Sequence, residues 1–132
     1  MQKQNRYSNT VVWTGLLLSF FAIPHLIDDF LFGIPEEFGL SNQAAQWLAG
    51  VFTVAMILSI VLAARDRKVG YYGTLAIGSL LFLAGVLKHI PLMIQPGPYW
   101  SGWFSEFLIY GLIASGLFLA LSSIAAIRSH AS

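Results

Sequence analysis

Four apolar runs of about twenty residues each make up most of this chain, and a run of that length fits a bilayer better than a soluble core. They cover roughly 11–32, 43–64, 73–94 and 103–127. Hydrocarbon offers no water to satisfy backbone polar groups, so each such run crosses as a helix. The expected fold is an all-α integral membrane protein, a bundle of four transmembrane helices. One domain spans 11–128, with short tails at 1–10 and 129–132. Composition agrees: charged residues are 10% of the chain, against about a quarter in soluble domains. The absence of cysteine excludes disulfides, thiolate metal sites and c-type haem attachment. A net charge of +1 provides no basic field for nucleic acid. Lys3 and Arg6 precede the first run as in a signal peptide. That run is too long, lacks a small-x-small cleavage site and leads into three more, so a retained helix is expected.

Orientation follows from lysine and arginine. Lys3, Arg6, Arg65, Arg67, Lys68 and Arg128 flank one side, whereas the loops at 33–41 and 95–102 contain none. Both termini are therefore expected on the cytoplasmic side of the cell membrane. Gly33 to Gly39 and Pro96-Gly97-Pro98 punctuate the outer loops, and Ser41 is placed to cap the second helix. The charged turn from Arg65 to Lys68 is expected to close at Gly70. Trp13, Tyr71, Tyr72, Tyr99, Trp100 and Trp103 are expected as interface anchors.

The halves read as tandem helical hairpins. His25 and His89 are 64 positions apart (89 − 25), and the same offset pairs Gly33 with Gly97 and Ser41 with Ser105. A pseudo-two-fold axis along the membrane normal would place the two histidines at one depth, facing each other. Small-xxx-small pairs at Gly15/Ser19, Ala55/Ser59 and Gly111/Ser115 suit close helix packing.

The candidate site is the polar layer near the outer ends of the helices. In Pro24-His25-Leu26-Ile27-Asp28-Asp29, the histidine and both aspartates share one helix face. Lys88-His89-Ile90-Pro91 answers it in the third run, Gln43 and Gln46 in the second, and Glu106 and Tyr110 in the fourth. Ionisable groups at membrane depth are costly and mark functional sites by default. Three carboxylates against the single Lys88 ammonium ask for a bound proton or cation, which suits proton-coupled chemistry. In this reading His25 and His89 orient a ligand, and Asp28 and Glu106 exchange protons. Lys88 neutralises a carboxylate or polarises an oxygen, and Asp29, Gln46 and Tyr110 complete the lining. Pro24 and Pro91 each remove a backbone hydrogen bond beside a histidine, freeing the carbonyls of Phe20 and Leu87. His130 lies in the tail and is assigned no role.

Gly85-Val-Leu-Lys88-His89, Pro96-Gly-Pro98 and Gly102-Trp-Phe-Ser-Glu106, with the four-span layout, resemble the DoxX-like family of small membrane proteins. That resemblance implies a lipophilic or quinone-like ligand, some relatives being membrane subunits beside a catalytic partner. Phe21-Ala-Ile-Pro-His25-Leu-Ile-Asp28-Asp29 is also similar to the emopamil-binding, sigma-2-like group. This second likeness implies a sterol or lipid isomerase whose acids move protons or bind cationic amines. Two further cofactor readings stay open: b-type haem on His25 and His89, and zinc on the same pair with a carboxylate. A non-catalytic structural subunit of a membrane complex, or of a homo-oligomer, is the plainest alternative, so whether the chain is an enzyme is left open.

Overall fold

The computed structural model describes residues 6–37 and 39–130. Lys3 and Phe38, both part of the readings above, lie outside them. Among the described residues the structure is helical, without strands. Helix α1 spans Ser8–Leu31, the short α2 Ile34–Glu37 and α3 Asn42–Ala64. Helix α4 covers Lys68–Ala84 and runs through a π-helical turn at Gly85–His89 into α5, Ile90–Met93; α6 covers Trp103–Ser129. Four helices are long and apolar enough to cross a membrane: α1, α3, α6 and the continuous Lys68–Met93 segment.

Local chemistry explains most boundaries. The Ser41 hydroxyl accepts from the Ala44 N–H at 3.2 Å, capping α3 as its sequence position suggested. Gly33 (φ 67°) and Gly97 (φ 117°), the pair related by the 64-residue offset, both adopt left-handed backbone after their helices end. Pro24 does not end α1, which continues to Leu31. In the third span the disturbance beside Pro91 takes the form of the π-helical turn that immediately precedes α5.

One boundary needs correction. The third helix begins at Lys68, not near 73, and Gly70 lies within its first turn instead of closing the preceding loop. The reason is steric: a Cβ at Gly70 would collide with the Ala63 backbone, so only glycine lets α4 turn back this tightly on α3. Tyr71 is correspondingly buried, not an interface anchor. Its hydroxyl donates to Asp66 Oδ1 at 2.6 Å, and His130 Nε2 approaches the same oxygen at 2.9 Å. His130 therefore helps fasten the end of α6 to the α3–α4 turn, a role its tail position concealed.

The helices form a four-membered ring in which α6 packs against α1 and α4, and α3 against the same two helices. α1 lies diagonally opposite α4, and α3 opposite α6. The fourth span is the most enveloped and α3 the least, leaving α3 a broad face of Trp47, Leu48, Val51 and Val54 turned outward. Buried Leu18, Met56, Ile77, Leu112 and Leu119 fill the core. The helices α4 and α6 touch backbone to backbone, since a Cβ on Gly78 would sit 2.8 Å from the Gly116 carbonyl oxygen. Gly15 receives Ile60, and Gly111 receives the Phe21 ring. Two hydroxyl rungs, Thr74 with Ser123 (2.8 Å) and Thr14 with Ser122 (3.2 Å), tie α6 to its neighbours where the core has no charge.

Candidate functional site

At the end of the bundle away from the termini, α1 and the π-helical turn bring His25 and His89 together. Both are buried, and their rings meet edge to face with centroids 4.9 Å apart. The loop between α5 and α6 then folds inward over them. Tyr99 is 5% exposed, and its hydroxyl lies 2.5 Å from His89 Nδ1. Burial, followed by the nearby Asp29 and Asp28 carboxylates, pushes the Tyr99 hydroxyl well above the usual tyrosine range. A phenol that keeps its proton can donate it in a hydrogen bond to Nδ1 of His89.

Trp100 forms the cover. Its ring lies parallel to His25 at 6.3 Å, edge-on to His89 at 5.5 Å, and stacks on Tyr99 at 4.5 Å and Phe32 at 6.1 Å. It reaches this position with φ 36°, a left-handed conformation that costs a bulky residue about 1–2 kcal/mol. Gly97 and Gly102, both at positive φ, allow the chain to turn in and out on either side. Tyr99 and Trp100 therefore turn inward, unlike the exposed anchors expected from sequence, whereas Trp103 is 77% exposed.

The two aspartates of α1 have different surroundings. Asp28 is 3% exposed, and both its oxygens are occupied: Ser101 donates to Oδ1 at 2.7 Å and Ser105 to Oδ2 at 2.5 Å. The Ser105 hydroxyl also accepts the Ser101 N–H at 3.0 Å. Asp28 thus anchors the inward loop and the first turn of α6 to α1. Asp29 faces the other way, towards α3. Its Oδ2 lies 3.6 Å from His25 Nε2, while its buried Oδ1 meets no hydrogen-bond partner among the described residues. Nδ1 of His25 is equally buried and unpartnered among the described residues. Buried polar atoms are rarely left so, and each such case calls for an explanation.

Asp29 opens onto a groove of about 290 Å³ between α1 and α3. Leu26, Phe30, Leu48, Ala49 and Phe52 form its walls, together with Ile34 and Pro35 of α2. Lys88 joins Asp29 in its lining. A largely apolar cleft with a few convergent polar groups is the usual form of a small-molecule site.

Of the residues singled out from sequence, the structure gathers His25, His89, Asp28, Asp29 and Lys88 around this layer. Gln46 and Tyr110 are exposed on the outer surface of the bundle, and Glu106 is half-buried in the first turn of α6, outside the groove lining. Tyr99, Trp100, Ser101 and Ser105 were missed as site residues. The only sequence signal for them was the glycine pair at 97 and 102, which permits an inward fold of the loop between them.

The geometry also bears on the cofactor alternatives. Imidazoles in edge contact leave no interval for a flat macrocycle, and His89 Nδ1 is already engaged by Tyr99. The pair as arranged does not fit bis-histidine haem. Among the described residues no group of three or more His, Cys, Asp or Glu side chains is arranged to hold a metal ion. Compared with known proteins, the chain matches no family model, no curated protein and no solved structure.

Proposed function

We propose that this multi-pass membrane protein binds a lipophilic, quinone-like molecule in the groove between α1 and α3 and exchanges a proton with it. The observation that carries the reading is the unpartnered Asp29 Oδ1 at the polar end of an otherwise apolar groove. The protonated Asp29 carboxyl would donate from that oxygen to a ligand carbonyl, and Lys88 would donate to a second ligand oxygen. His25, 3.6 Å from the other Asp29 oxygen, would relay the proton. Asp29 takes the acid–base role in this reading, because the lone pairs of Asp28 are engaged by two serines. His89 holds His25 in place instead of touching the ligand, and Glu106 has no part.

The reading keeps the DoxX-like resemblance as its nearest analogy. It also keeps the cell membrane as location, both termini on the cytoplasmic side, and a partner subunit as the source of electrons. The test uses the full chain in lipid nanodiscs titrated with a short-chain ubiquinone, with tryptophan quenching as readout. Saturable quenching that is lost in Ala49→Phe, which fills the groove, and weakened in Asp29→Asn supports the proposal. Linear, unsaturable quenching identical in all three proteins refutes it. A hydrophobic tertiary amine that saturates the groove where the quinone does not would move the assignment to the isomerase-like alternative.

A further inference from the structure

At the opposite end of the bundle, where the chain enters α1 and leaves α6, lies a second cavity of about 380 Å³. Arg6, Tyr7, Ala125, Arg128 and Ser129 line it, and none of these is acidic. Arg128 sits in the last turn of α6 and Arg6 just before the start of α1, and these two helices pack side by side. Arg6 is held by its own neighbour, with Cζ 4.7 Å above the Tyr7 ring. Two like charges facing one cavity repel each other unless an anion lies between them.

We infer that this cavity binds the phosphate of an anionic phospholipid headgroup. Guanidinium forks match phosphate oxygens in pairs, which lysine cannot do. Among the described residues the N-terminus of α1 carries no side-chain cap, and the N–H groups of its first turn lie at the same end. The surroundings suit a lipid better than a free ion. Ala125 in the cavity continues along one face of α6 into Leu121 and Leu117, four residues apart and exposed, and Trp13 and Leu17 are exposed on α1. These residues offer acyl chains an apolar path away from the charged end. Basic pockets between membrane helices bind anionic headgroups in this manner.

The site is independent of the groove at Asp29, and its test is separate. The detergent-extracted protein, exchanged into mixtures of phosphatidylglycerol and phosphatidylcholine at equal mole fraction, is examined by native mass spectrometry for retained lipid. Wild type should retain phosphatidylglycerol over phosphatidylcholine, and R6Q/R128Q should lose that preference by roughly tenfold. R67Q/K68Q removes as much charge from the same end but outside the cavity, and it should keep the preference. R6K/R128K guards against misfolding, since it preserves the charge and should show an intermediate preference. Equal retention of both lipids by wild type overturns the proposal, as does equal loss in the two double-glutamine variants, which would reveal a diffuse field. Inorganic phosphate that stabilises the protein in pure phosphatidylcholine nanodiscs as much as phosphatidylglycerol does would overturn the lipid source.

Discussion

His25 and His89 come from diagonally opposed helices, yet their rings touch, with centroids 4.9 Å apart. α1 also approaches the Lys68–Ala84 part of that span directly. At the polar layer the π-helical turn Gly85–His89 carries His89 inward against His25 of α1. The bundle is therefore pinned at this layer by polar contacts, and the predictions concern what those contacts hold.

Replacing Ser105 with alanine should destabilise the protein by about 2 kcal/mol, because it strips a donor from a buried carboxylate. Asp28→Ala should cost at least as much, and Ser101→Ala, at a more exposed position, less. Thermal unfolding in detergent followed by circular dichroism ranks the three. A Ser105→Ala protein as stable as wild type would show that Asp28 does not anchor the loop.

Tyr99 carries a pH prediction. Its folded pKa is raised above the ordinary value of 10.0. The folded state therefore holds the proton more tightly than the unfolded chain. The stabilisation is fully present below about pH 10 and is lost as pH rises through the folded value. Unfolding midpoints measured from pH 8 upward should fall more steeply for wild type than for Tyr99→Phe once the ordinary tyrosine range is passed. Parallel profiles would contradict the burial of this hydroxyl.

Trp100 should act as the cover of the histidine pair. In Trp100→Ala the imidazoles lose their shield, and modification of His25 and His89 by diethylpyrocarbonate, followed by peptide mass mapping, should accelerate several-fold. His130, 23% exposed by its side chain, serves as the internal reference. An unchanged ratio between the sites would mean that the loop does not protect them.

Two glycines should respond in opposite directions to alanine. At Gly78 the added Cβ meets the Gly116 carbonyl oxygen at 2.8 Å, and the backbones of α4 and α6 must separate, costing about 1–3 kcal/mol. At Gly50 nothing lies within 4 Å, so alanine should stabilise α3 by about 0.5–1 kcal/mol through helix propensity alone. Denaturation of the two variants side by side checks both signs.

The apolar runs made the four helices legible, because hydrocarbon permits little else, and the 64-residue offset foretold that His25 and His89 would meet. The histidine contact needed only helix periodicity and depth. The divergent roles of Asp28 and Asp29 were not legible. Adjacent residues on a helix point about 100° apart, and which of them found serines depended on a loop arriving from 73 positions away. Trp100 was hidden for a related reason. Its composition and place match an interfacial anchor, and only a left-handed backbone, for which a tryptophan gives no sequence cue, turns it inward. Gly70 looked like a loop residue because glycine marks both turns and close helix contacts, and the sequence does not separate the two.

The apolar lining of the groove, Ile34 and Pro35 of α2 included, has a consequence for how any occupant would be measured. A ligand that enters between α1 and α3, along the plane of the bilayer, would be drawn from the lipid phase. Occupancy would then be governed by mole fraction among the lipids, not by aqueous molarity. Apparent affinities would shift with the lipid-to-protein ratio and with each compound's partition coefficient. Two compounds that fit equally well would rank by how readily they dissolve in the membrane.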